Sequence, residues 1–156
     1  KNYPGVNRRF TRLEEYNGAL VIDDYAHHPE EIKSSLKAAK LVAHKRGGNL
    51  IAIFQPHRYS RTKELMEDFF KCFHDANKIF ISDIFSAGEE NIESISSIDV
   101  VRGVEDHSTN RTVENFTYSK ESLIKLFKEH TLTNDVVIFM GAGDITTWAN
   151  DLFVNR

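Results

Sequence analysis

The apolar positions along this chain change period several times. Two short runs, 10–16 and 19–25, flank Asn17-Gly18. Asn-Gly supplies the positive φ angles of a two-residue type I′ turn, so this stretch predicts a β-hairpin. The pattern then becomes helical. Ile32, Leu36, Ala39 and Ala43 form one stripe, Pro29 suits a first helical position, and Glu30 and Glu31 suit the positive end of the dipole. Gly47-Gly48 ends that helix. Residues 49–54 predict a buried strand, 62–73 a helix with Leu65, Phe69 and Phe73 on one face, and 78–84 a strand. A long polar loop follows over 86–97, then a short helix over 98–104 and a short strand over 115–118. A helix from 119 or 120 to 130 turns Leu123, Leu126 and Phe127 inward; 135–140 is a strongly apolar last strand and 145–153 the closing helix.

Strands alternating with helices predict an α/β fold: a Rossmann-like, three-layer domain on a mostly parallel sheet of about six strands. The first strand of the hairpin becomes its antiparallel edge. The length, 156 residues, suits one domain with a real core, and no repeat or linker interrupts it. A net charge of −3 with dispersed basic residues gives no reason to expect a nucleic-acid surface, and no apolar run is long enough to span a bilayer. A single cysteine, Cys72, rules out an internal disulfide and lies among phenylalanines, as a buried thiol would. No signal peptide is legible, and a cytoplasmic protein is expected. The chain opens on Lys1-Asn2-Tyr3-Pro4-Gly5 without methionine, which leads to the expectation of one domain, 1–156, excised from a longer polypeptide.

The chemistry gathers where predicted strands end, the edge at which parallel α/β sheets bind ligands. Asp23-Asp24-Tyr25-Ala26-His27-His28-Pro29 follows the hairpin. There Asp24 can take ribose hydroxyls and a histidine can contact phosphate or move a proton; alternatively Asp24 caps the helix and the histidines are solvated. Adjacent histidines tend to point apart in an extended turn, so no metal site is expected. His57-Arg58-Tyr59-Ser60-Arg61 follows the next strand. Arg58 and Arg61 share a face once helical and can grip one anion, and guanidiniums at a helix start oppose the dipole unless an anion is present. The alternative is a pair of surface arginines bound to Glu64 or Glu67. Gly141-Ala142-Gly143 lets backbone approach an anion or simply packs the last strand on the last helix. Asp83 and Glu89 leave the third long strand and reach a polar ligand, a partner domain or solvent. No Walker loop and no Ser-His-Asp or Cys-His arrangement is legible.

Five segments together resemble the carboxyl-terminal domain of the Mur ligase superfamily, in its alanine-adding branch. They are Gly5-Val6-Asn7-Arg8-Arg9-Phe10, the Asp23–Pro29 turn with Glu31-Ile32, Phe54 through Thr62, Asp83-Ile84 with Ala87-Gly88-Glu89, and Gly141-Ala142-Gly143-Asp144-Ile145. Phe85 and Ser86 stand where that family leads one to expect Tyr and Ala. The resemblance implies the mobile third domain of an ATP-dependent enzyme of peptidoglycan synthesis. Its first domain would hold UDP-N-acetylmuramate, and its central domain the Walker loop and Mg2+. It further implies Asp24, Tyr25 and His27 near the nucleotide, and His27 near the reacting carbonyl. Arg58 and Arg61, with His57 and Tyr25, would lie on the carboxylate of L-alanine, and an isolated third domain would be inactive. A relative that attaches a whole tripeptide shares the first turn. A binding module of another class, flavodoxin-like with Asp24 or Asp83 as phosphoacceptor, needs a lysine that Met140-Gly141-Ala142 does not offer.

Overall fold

A computed structural model describes residues 8–92 and 94–154. Lys1–Gly5, together with Val6 and Asn7 of the first motif, lies outside the described residues, as does Glu93 of the polar loop. The hairpin forms as its turn chemistry dictates. β1 (Thr11–Tyr16) pairs antiparallel with β2 (Ala19–Asp24), with Asn17 at φ 52° and Gly18 at φ 85°. A bulge shifts the register between Arg12 and Glu15. Helix α1 (Pro29–Arg46) starts on its proline and stops at Gly47 in the left-handed conformation, φ 75°.

After β3 (Leu50–Phe54), two short helices, α2 (Tyr59–Glu64) and α3 (Met66–Phe70), replace the single helix expected over 62–73. The first begins three residues early, and Leu65 (φ −103°, ψ 14°) interrupts the run. β4 (Lys78–Ser82) is shorter than expected. Helix α4 (Ser97–Asp106) is longer than expected at both ends; Asp99 accepts from the Ser96 amide, anchoring its start. β5 occupies Thr112–Phe116 and not 115–118. Only Val113 and Phe116 of this edge strand are buried, so Glu114 and Asn115 hide it from a search for apolar runs. Helix α5 (Lys120–His130), β6 (Val136–Met140) and α6 (Ile145–Asp151) complete the chain.

The sheet order is β1-β2-β6-β3-β4-β5, parallel except at β1. Side chains alternate across each strand, so every inner strand supplies two cores. In β6, Val136, Ile138 and Met140 face α1, α3 and α4, while Val137 and Phe139 face α5 and α6. The helices that follow β2 and β3 pack on one face of the sheet and the helix that follows β6 on the other, although β6 lies between those strands. The carboxyl ends of β2, β6 and β3 therefore form the switch point at which an open α/β sheet presents its crevice.

Candidate functional site

Three loops meet at that crevice, and buried polar anchors set each one. Below the first, Arg8 places Nε and Nη2 on the two oxygens of Asp23, both at 3.0 Å, and Thr146 donates to Asp23 Oδ2 at 2.7 Å. Both charged residues are buried. A planar guanidinium matches a carboxylate in this forked geometry. The Arg8 carbonyl accepts from the Tyr25 amide and its guanidinium lies 5.7 Å from the Tyr25 ring centre, which fixes the start of the turn.

Asp24 is also buried, and three donors hold it: the Ala26 amide at 2.7 Å, the Phe10 amide at 3.0 Å and Ser35 Oγ at 3.0 Å. The helix cap is His28, not Asp24. Asp24 lines a cavity of about 500 Å3 beside the start of α1, with Phe10, Tyr25, Glu31, Ser34 and Ser35. Tyr25 links this cavity to the histidines, its ring 5.0 Å from that of His27.

The two histidines of the rim take opposite tautomers. His27 Nδ1 lies 2.9 Å from the Tyr25 carbonyl and 3.4 Å from Glu31. Both neighbours can only accept, so Nδ1 carries the proton and Nε2 keeps its lone pair. His57 Nδ1 faces Arg61 Nη1 at 3.4 Å; a guanidinium can only donate, so here Nδ1 accepts and Nε2 carries the proton. The rings of His27 and His57 lie 6.2 Å apart, and His57 stacks on Phe85 at 5.4 Å. Unlike the expected divergence, the rings of His27 and His28 sit only 4.8 Å apart.

Burial lowers the pKa of His27, more than the Tyr25 carbonyl and Glu31 raise it. Burial also lowers that of His57, and the positive charges of Arg61, His27 and Arg58 add to the effect against Glu89. Burial pulls Glu31 upward, but the His28 and His27 amides and both imidazoles outweigh it and hold the carboxyl below its usual range. Each depressed histidine pKa means that the unfolded chain binds more protons below about pH 6.5. Stability from both residues is complete above that value and is lost as pH falls through their folded pKa values. The urea midpoint should thus drop on acidification from pH 7, and His27→Gln with His57→Gln should flatten the drop. Glu31 acts in the same direction but at more acidic pH, below 4.5. An unaltered slope between pH 7 and 5 in the double variant would overturn this assignment.

The second loop carries backbone strain. Arg58 sits at φ 72° and ψ 139°, a region that disfavours residues with a Cβ. It is held there from both sides. Its amide donates to the Phe85 carbonyl at 2.7 Å, its carbonyl accepts from Thr62 N and Oγ1 at 3.1 and 2.7 Å, and His57 bridges to Phe85 as a strand would. The Arg58 side chain is 45% exposed, with Nη1 3.8 Å from Glu89. Glu89, and neither Glu64 nor Glu67, is therefore its partner. Part of the anion that two cations at a helix start demand is thus internal to the chain.

The glycine turn packs tightly. A Cβ on Gly143 would lie 2.6 Å from Gln55 Oε1 and 2.7 Å from the Phe85 ring, and one on Gly141 would lie 3.0 Å from the Gln55 carbonyl. Gln55 donates to Asp144 at 2.7 Å, tying the loops after β3 and β6 together. The structure thus brings together His27, His57, Arg58, Arg61 and Glu89, over Gly141 and Gly143. It keeps Asp83 apart, where Ser97 and Thr117 each donate to it at 3.3 Å. Sequence reasoning overlooked Gln55, Ser60 and Thr146 as anchors; a glutamine between an apolar strand run and Pro56 was the available signal. Among the described residues no three His, Cys, Asp or Glu side chains converge as ligands for a metal ion, and no helix is long and apolar enough to cross a membrane.

Known proteins resemble this chain in sequence and in fold. The chain is 48% identical over 151 residues to UDP-N-acetylmuramate–L-alanine ligase of Rickettsia felis and 46% identical to that of Rickettsia typhi, in each case over 97% of its own length. It spans only about 30% of these relatives. The crystal structure of UDP-N-acetylmuramate-alanine ligase from Thermotoga maritima is 25% identical and matches 94% of the chain with a TM-score of 0.67, using 29% of that protein. A murein peptide ligase from Psychrobacter arcticus, 21% identical, shares the fold with a TM-score of 0.72 over the same share of each chain. The sequence model of the family "Mur ligase, glutamate ligase domain" matches residues 8–143, and the chain belongs to that family.

Proposed function

We propose that this chain, residues 1–156, is the closing domain of an ATP-dependent ligase that joins L-alanine to UDP-N-acetylmuramate in peptidoglycan synthesis. The observation that carries the reading is the meeting of Arg58, Arg61, His57 and His27 at one switch-point crevice, in a chain 48% identical to an alanine ligase. The fold does not choose the acceptor, because the murein peptide ligase shares it. Identity and the His57–Arg61 segment favour alanine.

In the reaction, the muramate carboxylate attacks the γ-phosphorus of ATP and ADP leaves. The amine of L-alanine then attacks the acyl carbon, an amide forms, and inorganic phosphate leaves. Arg58 and Arg61 grip the alanine carboxylate, which fixes the amine and neutralises a charge that would otherwise sit beside polyphosphate. His57, holding Arg61 through Nδ1, and Tyr25 border that clamp. His27 keeps a lone pair on Nε2 at neutral pH and is suited to take a proton from the alanine ammonium, which frees the amine lone pair for attack. Tyr25, His27 and the turn built on Asp24 border the nucleotide. Asp24 itself shapes the turn through its three bonds, which leaves it little capacity for ribose. Glu89 belongs to the clamp, Asp83 to a peripheral loop contact, and Gly141 and Gly143 to close packing beneath. Bound Mg2+ would neutralise charge on the phosphates; among the described residues no acidic set fits it, so its ligands belong to the central domain. Closing on the other two domains keeps water from the acyl phosphate. The cell compartment is the cytoplasm, where ATP is available.

Phosphate release by the full-length protein, given ATP, Mg2+ and UDP-N-acetylmuramate, tests the reading. L-Alanine should support turnover and the L-Ala-γ-D-Glu-diaminopimelate tripeptide should not, while residues 1–156 alone should be inactive. Turnover with tripeptide but not with alanine would sink it.

A further inference from the structure

We propose that Glu89 is a positioning residue of the clamp, holding the Arg58 guanidinium and the first turn of α2 in the arrangement that receives a substrate carboxylate. The inference rests on the reading of Arg58 and Arg61 as that clamp.

Helix α2 starts directly after Arg58, whose side chain has no acceptor and makes no capping bond. Glu89 supplies both missing elements from 29 residues away. Its Oε1 accepts from the Ser60 amide at 3.0 Å and its Oε2 from Ser60 Oγ at 2.5 Å. With its oxygens fixed in this way, the carboxylate presents its charge to Arg58 at 3.8 Å. A carboxylate here offsets both the helix dipole and the cation placed against it. The Ser60 bonds, with Arg58 beside them, hold Glu89 ionised.

The segment carrying Glu89 is a strap clasped at two points. At one end the Phe85 amide donates to the Pro56 carbonyl at 2.9 Å, and the Arg58 amide donates to the Phe85 carbonyl at 2.7 Å. The chain then reverses through Ala87 (φ 51°) and Gly88 (φ 86°), closed by the Glu89 amide on the Ser86 carbonyl at 3.0 Å. Two successive positive φ values, one on a residue with a Cβ, mark a turn held in place by its contacts at both ends. Glu89 is thereby delivered onto Ser60. Because Ser60, and not Arg58, takes the short bonds, Arg58 keeps donors free for an incoming carboxylate while its head is held on one side.

Glu89→Gln separates capping from charge, since glutamine can still accept from the Ser60 amide and donate to its hydroxyl. In the full-length ligase it should raise KM for L-alanine roughly three- to tenfold while kcat and KM for ATP stay within about twofold. Glu89→Asp should recover part of the loss. With Arg58→Ala already present, Glu89→Gln should add nothing further, because it acts through Arg58. If Arg58→Ala leaves KM for alanine unchanged, the clamp reading itself is wrong. If Arg58→Ala raises it but Glu89→Gln does not, or if the two effects multiply in full, Glu89 has no positioning role.

Discussion

If Arg58 grips alanine as proposed, Arg58→Gly in the full-length protein is expected to raise KM for L-alanine by roughly 10- to 100-fold and to leave KM for ATP within about twofold, without unfolding the domain. A hydrogen bond to a charged group contributes about 1.5–3 kcal/mol, and each 1.4 kcal/mol is a factor of about ten. Glycine is the informative replacement because of the backbone. Arg58 occupies φ 72°, ψ 139°, where a Cβ is strained by about 1–3 kcal/mol and glycine is not. Arg58→Ala loses the guanidinium and keeps the strain; Arg58→Gly loses both. The glycine variant should therefore be more stable than the alanine variant by about 1 kcal/mol in urea unfolding, with the same defect toward alanine. Strain retained at the cost of stability is the signature of a position held for function. Equal losses of affinity for alanine and ATP would remove the carboxylate from Arg58, and a glycine variant less stable than alanine would show that the backbone is unstrained.

Arg8→Met is expected to be the most damaging of these substitutions for folding, at about 3–5 kcal/mol. It leaves the buried Asp23 with Thr146 as its remaining side-chain donor. In a domain of this size the loss lowers Tm by roughly 10 °C. The penalty belongs to the orphaned charge and not to lost attraction. Arg8→Met combined with Asp23→Leu should then recover most of it, since a buried ion pair replaced on both sides by apolar groups is often neutral. Thermal and urea unfolding of the chain checks both variants. A single variant within about 1 kcal/mol of the parent would mean that water reaches Asp23. A double variant no better than the single would place the cost in packing around Thr146 and Tyr25.

Local chemistry made much of this fold legible. Asn17-Gly18 specifies the hairpin through its positive φ angles, and Pro29 with Gly47 bounds α1, because these residues restrict the backbone wherever they occur. β6 reads clearly because all five of its residues are buried, whereas β5 was placed about three residues late because an edge strand buries only two of its five. The chemical groups of the two rims were legible for the same reason: imidazole, guanidinium and carboxylate groups were written next to strand ends.

What tertiary structure alone decided is which rims meet. Inserting β6 between β2 and β3 brings His27 within 6.2 Å of His57 and seats both glycines under Gln55. No local propensity encodes that order, because parallel neighbours are set by crossovers packing on a shared sheet. The partner of Arg58 was equally hidden. Glu64 and Glu67 are near in sequence, but the strap through Phe85 brings Glu89 to Ser60, and the Arg58 backbone enters a region no sequence pattern would assign to arginine. The sequence by itself determined the elements and the chemical groups at their ends, because turns, caps and periodicity act within a few residues. The fold decided their partners, since burial leaves each polar group only the donors and acceptors that non-local packing delivers.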